Sequence, residues 1–185
     1  MAISFRPLTE QEIEVRVARV TNAGVELLLF KDARCDMRIL DEAVGPENWQ
    51  CEFYECKGTL FCKVGILVER ELGKDPDGIF HYDSEWVWKA NAGAPSNMEA
   101  QKGEASDAFK RACFCWGIGR ELYSAPRIFV YADKCGEIKT GKNGKPQCYD
   151  RFRVEKVRIE NGQITGLSIW NDTTGHRCFV WKSGD

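Results

Sequence analysis

The stretch LDEAVGPENW, residues 40–49, marks the place where the chain passes from a helix to a strand. Apolar residues recur at helical spacing up to Val44, in the first half of this stretch. Gly45 followed by Pro46 is a typical helix end, because Gly favours the left-handed cap and Pro cannot continue the helix. From Trp49 onward, aromatic and β-favouring residues predict a strand. The stretch therefore indicates an α+β fold in which a helix is followed at once by a sheet.

The rest of the chain is predicted mainly as strands around one long helix. Apolar runs and alternation predict strands over residues 15–20, 25–30, 49–56, 60–69, 79–89, 127–132, 152–159, 164–170 and 178–181. The long helix is predicted from a capping box at Ser96 and Glu99 to Gly117. The residues on its predicted apolar face are Met98, Ala105, Phe109, Ala112 and Trp116. We expect an antiparallel β-sheet meander packed with this helix, plus a C-terminal β-hairpin module.

The composition is that of an ordinary globular domain. The 185 residues are 43% hydrophobic and 29% charged, which argues against intrinsic disorder, and the 17 glycines follow no collagen-like period. The apolar runs are too short to span a bilayer, and the first twenty residues lack the features of a secretory signal. We therefore expect a cytoplasmic protein without a membrane partner.

Positive and negative charges nearly cancel over the whole chain, but they are distributed unevenly along the sequence. Lys and Arg number 26 against 28 Asp and Glu, and the resulting net charge of −2 argues against diffuse binding to polyanions. Residues 134–158, however, contain eight basic and three acidic residues. This basic segment is interpreted either as a solvated hairpin loop or as a nucleic-acid contact, and the sequence alone leaves both interpretations open.

One stretch has the spacing of a phosphate-binding loop. Gly136 to Lys142 matches the glycine and lysine positions, but Asn143 stands where a Mg²⁺ ligand requires Ser or Thr, and Pro146 prevents a helix from starting there. We predict a hairpin loop rather than a nucleotide site. No catalytic constellation is evident elsewhere in the sequence, so we expect a protein that is not an enzyme and has no catalytic residue or cofactor.

The nine cysteines, an odd number, predict buried thiols rather than a disulfide framework. One set resembles distant pairs of metal ligands, namely Cys135, Cys148, His176 and Cys178. None of these forms a close C-x₂-C pair, which is the usual signature of a structural zinc site. We therefore interpret this set as buried thiols and expect no metal, an interpretation that stoichiometric zinc would overturn.

Four segments carry a family resemblance through their order and spacing. They are IEVRV (13–17), LFKDAR (29–34), LDEAVGPENW (40–49) and DAFKRA (107–112), the last leading to Trp116 and Gly117. Together they resemble the phage Sak-type single-strand annealing proteins, which are similar to the eukaryotic recombination mediator Rad52. The likeness extends from Phe5 to about Val130.

This resemblance implies ATP-independent annealing of single-stranded DNA in phage or prophage homologous recombination and double-strand break repair. It also implies that subunits assemble into a ring or helical oligomer with a basic groove for the DNA around its outside. The residues implied to bind DNA are Arg34, Lys102, Lys110 and Arg111. A phage exonuclease or a single-strand-binding protein is implied as a further partner.

On this interpretation, residues 1–132 are the single-strand annealing core and residues 133–185 are a C-terminal β-rich module. The alternative is a non-catalytic oligomeric structural or adaptor protein that has no affinity for DNA. A binding measurement distinguishes these two interpretations, because an oligomer that does not bind single-stranded DNA supports the alternative.

Overall fold

The computed structural model describes residues 3–94, 100–141 and 144–184, and it shows an α+β fold with antiparallel sheets. Two α-helices are formed within these ranges, α1 (Ala33–Val44) and α2 (Ala100–Trp116). The strands are β1 (Glu14–Thr21), β2 (Gly24–Phe30), β3 (Trp49–Cys56), β4 (Thr59–Lys74), β5 (Phe80–Ala92), β6 (Ile128–Tyr131), β7 (Ile138–Thr140), β8 (Pro146–Cys148), β9 (Phe152–Glu160), β10 (Gln163–Asn171) and β11 (His176–Lys182). In the described part of the chain, no helix is long and apolar enough to cross a membrane.

One compact unit comprises residues 33–118 together with the N-terminal residues up to Arg6. In this unit β3, β4 and β5 form an antiparallel three-stranded meander. Helix α2 packs on β4 and β5, while α1 packs on α2 and β3. Its buried apolar side chains include Cys35, Ile39, Leu40, Cys62, Val64, Ile66, Ala108, Phe109, Ala112 and Cys113. The core of this unit therefore lies between its sheet and its helices.

The other compact unit comprises residues 7–32 and 119–185. Its six-stranded sheet has the order β11-β10-β9-β1-β2-β6, so the N-terminal hairpin and the last three strands share one sheet. The junction is the pairing of Glu14 on β1 with Arg153 on β9. Its buried apolar side chains include Val25, Leu27, Ile128, Val130, Ile164, Leu167 and Ile169. Strands β7 and β8 pair separately as a short hairpin.

The α+β class and the antiparallel meander predicted over residues 49–89 are confirmed, and the last strand continues to Ala92. Two α-helices are present in the described ranges, namely α1, which ends at Val44 as predicted, and α2. The C-terminal strands are joined by hairpins, as predicted, and they continue the sheet that contains β1 and β2. The predicted capping box at Ser96 and Glu99 lies outside the described residues, as does Met98. The division into an annealing core over 1–132 and a module over 133–185 stays a prediction.

Residues 40–49 form the helix-to-strand turn that their sequence predicts. Helix α1 ends just before Gly45, whose φ of 87° is the left-handed conformation that closes a helix. Asp41 contacts both sides of the turn, because its carbonyl oxygen accepts the Gly45 N–H at 3.0 Å and its carboxylate accepts the Trp49 indole N–H at 2.7 Å. The Trp49 ring centroid also lies 6.1 Å from that of Phe109 on α2. The turn thus fixes α1, β3 and α2 relative to one another.

Helix α2 packs through its predicted apolar face, on which Phe109 is 2% exposed and Ala112 is fully buried. Just after β5, the backbone of Gly93 approaches the helix closely. A Cβ at this position would lie only 2.2 Å from the carbonyl oxygen of Glu104. Glycine is therefore required where the chain passes α2.

Candidate nucleic-acid interface

Two of the residues predicted to contact DNA are neighbours on α2, and we call Lys110 and Arg111 the basic pair. Lys110 is half-buried and Arg111 is exposed. Asp107, one turn earlier, accepts hydrogen bonds from Arg111 Nε at 2.8 Å and from the backbone N–H of Ala94 at 3.0 Å. This carboxylate therefore ties the arginine to the chain beyond β5 and limits the orientations of its guanidinium group.

The C-terminal end of α2 is held by the sheet beneath it. Lys89 donates from Nζ to the carbonyl oxygen of Cys115 at 3.1 Å, and its ammonium lies 4.4 Å from the ring centroid of Trp116. The indole N–H of Trp116 donates to the Val64 carbonyl oxygen at 2.9 Å. A cation at this end of a helix also interacts favourably with the helix dipole. These contacts fix the helix that carries the basic pair.

Arg34 lies in the first turn of α1 and is exposed, while Ile39 and Leu40 bury another side of the same helix. Helices α1 and α2 pack against each other within one compact unit. The structure thus places Arg34 and the basic pair on two helices in contact. Lys102 also belongs to α2, but its side chain lies outside the part of the chain that the structure describes.

A further surface of this unit was not identified from the sequence. Neighbouring positions on β4 and β5, such as Val64 and Lys89, contact α2, so the alternate positions face the other side of the sheet. We call this side the aromatic face, and its residues are Tyr54, Phe61, Lys63, Trp86 and Trp88. Tyr54 stacks on Phe61 with 5.4 Å between ring centroids, and Lys63 Nζ lies 4.2 Å from the Trp88 centroid.

The aromatic face is open in part, since Tyr54 is 42% exposed and Trp86 is 38% exposed. Lys63 is paired with Glu52 at 2.9 Å, so the exposed rings rather than its charge are what unpaired bases could stack on. The signal for this surface was present in the alternation of aromatic residues along the predicted strands. Alternation does not reveal which side of a sheet a helix covers, and here the contacts of α2 decide it.

The basic segment, residues 134–158, contains the hairpin that was predicted at the loop resembling a phosphate site. Strands β7 and β8 pair from Ile138 with Cys148 to Thr140 with Pro146, while residues 142 and 143 lie outside the described ranges. Several of the cations pair with carboxylates: Lys139 with Glu137 at 2.9 Å, Arg153 with Asp172 at 2.9 Å and Arg158 with Glu160 at 2.6 Å. Part of the positive charge that the sequence concentrates here is therefore neutralised locally.

All nine cysteines are free thiols, and those that are buried are Cys35, Cys62, Cys113, Cys135 and Cys178. Of the set that resembles metal ligands, the structure brings Cys135 and Cys148 together, and Asp150 joins them. Burial raises the pKa of the Cys135 thiol to about 12, and burial also raises the pKa of Cys148. Asp150 was not among the predicted ligands, although its position two residues after Cys148 was the available signal.

Comparison with known proteins gives two matches. The model of the family described as Rad52/22 family double-strand break repair protein matches residues 6–135. The chain is also 30% identical, over 142 residues, to the single-stranded DNA-binding protein DdrA of Deinococcus radiodurans. This alignment covers 74% of the chain and 58% of the relative. The chain therefore spans less than two thirds of the length of that protein.

Proposed function

Because this chain belongs to the Rad52/22 family of double-strand break repair proteins, we propose that it binds single-stranded DNA and anneals complementary strands in homologous recombination. The observation that carries this proposal is the basic pair on α2, where Asp107 holds an exposed arginine beside a half-buried lysine. The relative from Deinococcus radiodurans is a single-stranded DNA-binding protein by name, which supports the same ligand.

Annealing requires that the phosphates are held while the bases remain available for pairing. Lys and Arg on a rigid helix meet this requirement, because contacts to phosphates position a strand without reading its sequence. Arg34 on α1 adds a further cation to the same set, and we include Lys102 as a fourth. Base pairing itself supplies the free energy of the reaction, so the proposed function does not use ATP, and we propose no catalytic residue.

We further propose that copies of this chain assemble into a ring or a helical oligomer. A single copy has a net charge of −2 and offers only a few cations to the DNA. Once one subunit holds the strand, the next contact is made at a high effective concentration, so repetition converts weak contacts into tight binding. The proposed setting is phage or prophage recombination in the bacterial cytoplasm, with an exonuclease or a single-strand-binding protein as partner.

The test is a double variant, Lys110→Ala with Arg111→Ala. We expect its affinity for a labelled oligonucleotide to fall on the order of tenfold to a hundredfold, because two charge-assisted hydrogen bonds to phosphate are lost. Annealing of complementary oligonucleotides is expected to slow in parallel. Affinity is measured by fluorescence anisotropy and annealing by quenching of paired labels, and circular dichroism verifies that the variant is folded.

A matched control removes the same charge from another element of the same unit. Arg70→Ala with Lys74→Ala removes two exposed cations from β4, and we expect binding and annealing to stay close to those of the unaltered chain. If the basic-pair variant binds and anneals like this control, the assigned site is wrong. If the unaltered chain forms oligomers but does not bind the oligonucleotide, the structural or adaptor alternative replaces the proposed function.

A further inference from the structure

Three side chains in the unit formed by residues 7–32 and 119–185 converge in the way that metal ligands do. The Sγ atoms of Cys135 and Cys148 and a carboxylate oxygen of Asp150 all lie within 4.8 Å of one another. Cys135 is 7% exposed, and the residues Cys148 and Asp150 are each of intermediate exposure. We propose that these three residues bind a zinc ion, a role that is separate from DNA binding by the basic pair.

The three ligands come from two neighbouring pieces of chain. Cys135 follows a short 3₁₀ turn at Ala132–Lys134, while Cys148 ends β8 and precedes Asp150 by two residues. The backbone N–H of Asp150 hydrogen bonds to the Cys148 sulfur. An N–H directed at sulfur stabilises the thiolate, which is the form that binds metals.

Asp150 is held in place by two donors. Its Oδ2 accepts the backbone N–H of Gly136 at 2.6 Å and the Nδ2 group of Asn171 at 2.7 Å. Asn171 is fully buried, and its side-chain oxygen accepts the backbone N–H of Thr173 at 3.0 Å. Metal-binding carboxylates are commonly oriented by such hydrogen bonds. The hydrogen bonds from Gly136 and Asn171 therefore fix the orientation of the Asp150 carboxylate beside the two thiols.

The glycine at position 136 belongs to the same arrangement. A Cβ there would lie 2.8 Å from Oδ1 of Asp150, so a larger residue would displace the carboxylate oxygen that does not receive the two hydrogen bonds. Gly136 directly follows Cys135 in the chain. The backbone is thus shaped so that one thiol, one carboxylate oxygen and the second thiol remain close together.

The donor set selects the class of metal. Two thiolates favour soft or borderline cations, whereas Mg²⁺ and Ca²⁺ favour sites made only of oxygen atoms. With Zn–S bonds of about 2.3 Å and tetrahedral angles, two thiolates lie about 3.8 Å apart. The cluster therefore needs to contract by about 1 Å or less from its 4.8 Å limit. Each thiol releases a proton to solvent when the ion binds, so two protons leave for each zinc that enters.

Zinc at this position would join the two ends of the β7–β8 hairpin, because Cys135 precedes β7 while Cys148 and Asp150 lie at the end of β8 and just after it. Asn171, which holds Asp150, is the last residue of β10, and its Nδ2 group also donates to the Lys134 carbonyl oxygen at 3.3 Å. The ion would therefore close this loop, while these hydrogen bonds connect the loop to the six-stranded sheet. A structural role of this kind adds to the stability of a fold because the site is not formed in the unfolded chain.

The chain is tested as purified under reducing conditions and without chelator. We expect elemental analysis to find about one zinc per chain. After the zinc is removed with a chelator, addition of Co²⁺ is expected to produce the sulfur-to-cobalt charge-transfer absorption that reports thiolate ligation. Cys135→Ser and Cys148→Ser are each expected to lower retained zinc at least tenfold.

The matched control is Cys56→Ser, which removes an exposed thiol from the other unit and is expected to retain zinc in full. If a variant of the cluster does not fold, the cobalt spectrum of the unaltered chain decides the question by itself. The proposal is overturned if the unaltered chain takes up neither zinc nor Co²⁺. It is also overturned if zinc persists in both cluster variants, or if the two thiols form a disulfide and bind no metal after reduction.

Discussion

At the scale of single residues, Gly93 and Asp107 decide how α2 meets the chain that follows β5. Gly93 brings its backbone against the Glu104 carbonyl group, and Asp107 joins the Ala94 N–H to the Arg111 guanidinium. Gly93 allows this approach because it lacks a side chain, and Asp107 acts through a carboxylate that accepts hydrogen bonds from two donors. Together they couple the position of a proposed DNA contact to the end of a strand.

Replacing Gly93 with Ala is expected to destabilise the protein. The added methyl group would lie 2.2 Å from the Glu104 carbonyl oxygen, so either the helix or the strand end must move. Overpacking of this kind lowers the free energy of unfolding by about 1–3 kcal/mol. Urea unfolding followed by circular dichroism measures the change.

Gly166→Ala on β10 is the matched control, because the nearest atom to a Cβ there is 3.4 Å away, an ordinary contact. Its free energy of unfolding is expected to change little. Equal stability of the Gly93→Ala variant and the unaltered chain would show that α2 does not need the close approach.

Sequence patterns identified some of the important single residues and missed others. Phe109 and Ala112 were identified as core positions because helical spacing reports burial directly. Asp150 was not identified as a partner of Cys135 and Cys148, because aspartate is common on protein surfaces and only the tertiary structure shows that this one lies beside the two thiols. Local patterns report the burial of a side chain, whereas convergence of distant residues depends on tertiary structure.

At the scale of elements, the sequence located each strand of the meander but not both ends of every strand. The predicted bounds of β3 agree with the structure, but β4 continues to Lys74, five residues beyond its prediction. This extension is held by pairing with β5 while Leu72 and Tyr82 remain exposed. Hydrophobic alternation therefore does not reveal it. The pairing of β1 with β9 was also beyond local patterns, because those strands are far apart in the chain.

An ion pair between β9 and β11 gives the sheet a dependence on pH. Arg177 contacts the Glu155 carboxylate through two nitrogens, at 2.5 Å and 2.7 Å, and this hydrogen bonding lowers the pKa of Glu155 to about 2. Because the pKa is lower in the folded state, the stabilisation is complete above the ordinary glutamate pKa of 4.5 and is lost as the pH falls towards 2.

Arg177→Gln is expected to lower stability at neutral pH and to make the decline of stability between pH 4.5 and pH 2 less steep. Urea unfolding at several pH values within this range measures the slope. Arg127→Gln removes a single exposed contact to Glu26 and is expected to leave the slope unchanged. Identical slopes for Arg177→Gln and the unaltered chain would contradict the assignment of this pH dependence to the pair.

At the scale of the whole molecule, a net charge of −2 is compatible with a polyanionic ligand only if the contacts are local. Ion pairs neutralise several cations of the basic segment, so its charge is a weaker argument for DNA binding than the sequence suggested. Arg111 of the basic pair is also paired, with Asp107, so the assignment of this pair rests on the packing of α2, which fixes its position. On the proposed function, the cations of α1 and α2 supply the electrostatic part of DNA binding, repeated over the subunits of the proposed oligomer.

The dependence of oligonucleotide binding on salt tests this central claim most directly. The logarithm of the binding constant falls linearly with the logarithm of the salt concentration, and each phosphate contact on a single strand contributes about 0.7 to the slope. The account predicts a steep slope for the unaltered chain and a shallower one for Lys110→Ala with Arg111→Ala, by about 1.4 for each subunit that contacts the strand. Equal slopes for the two proteins would contradict it.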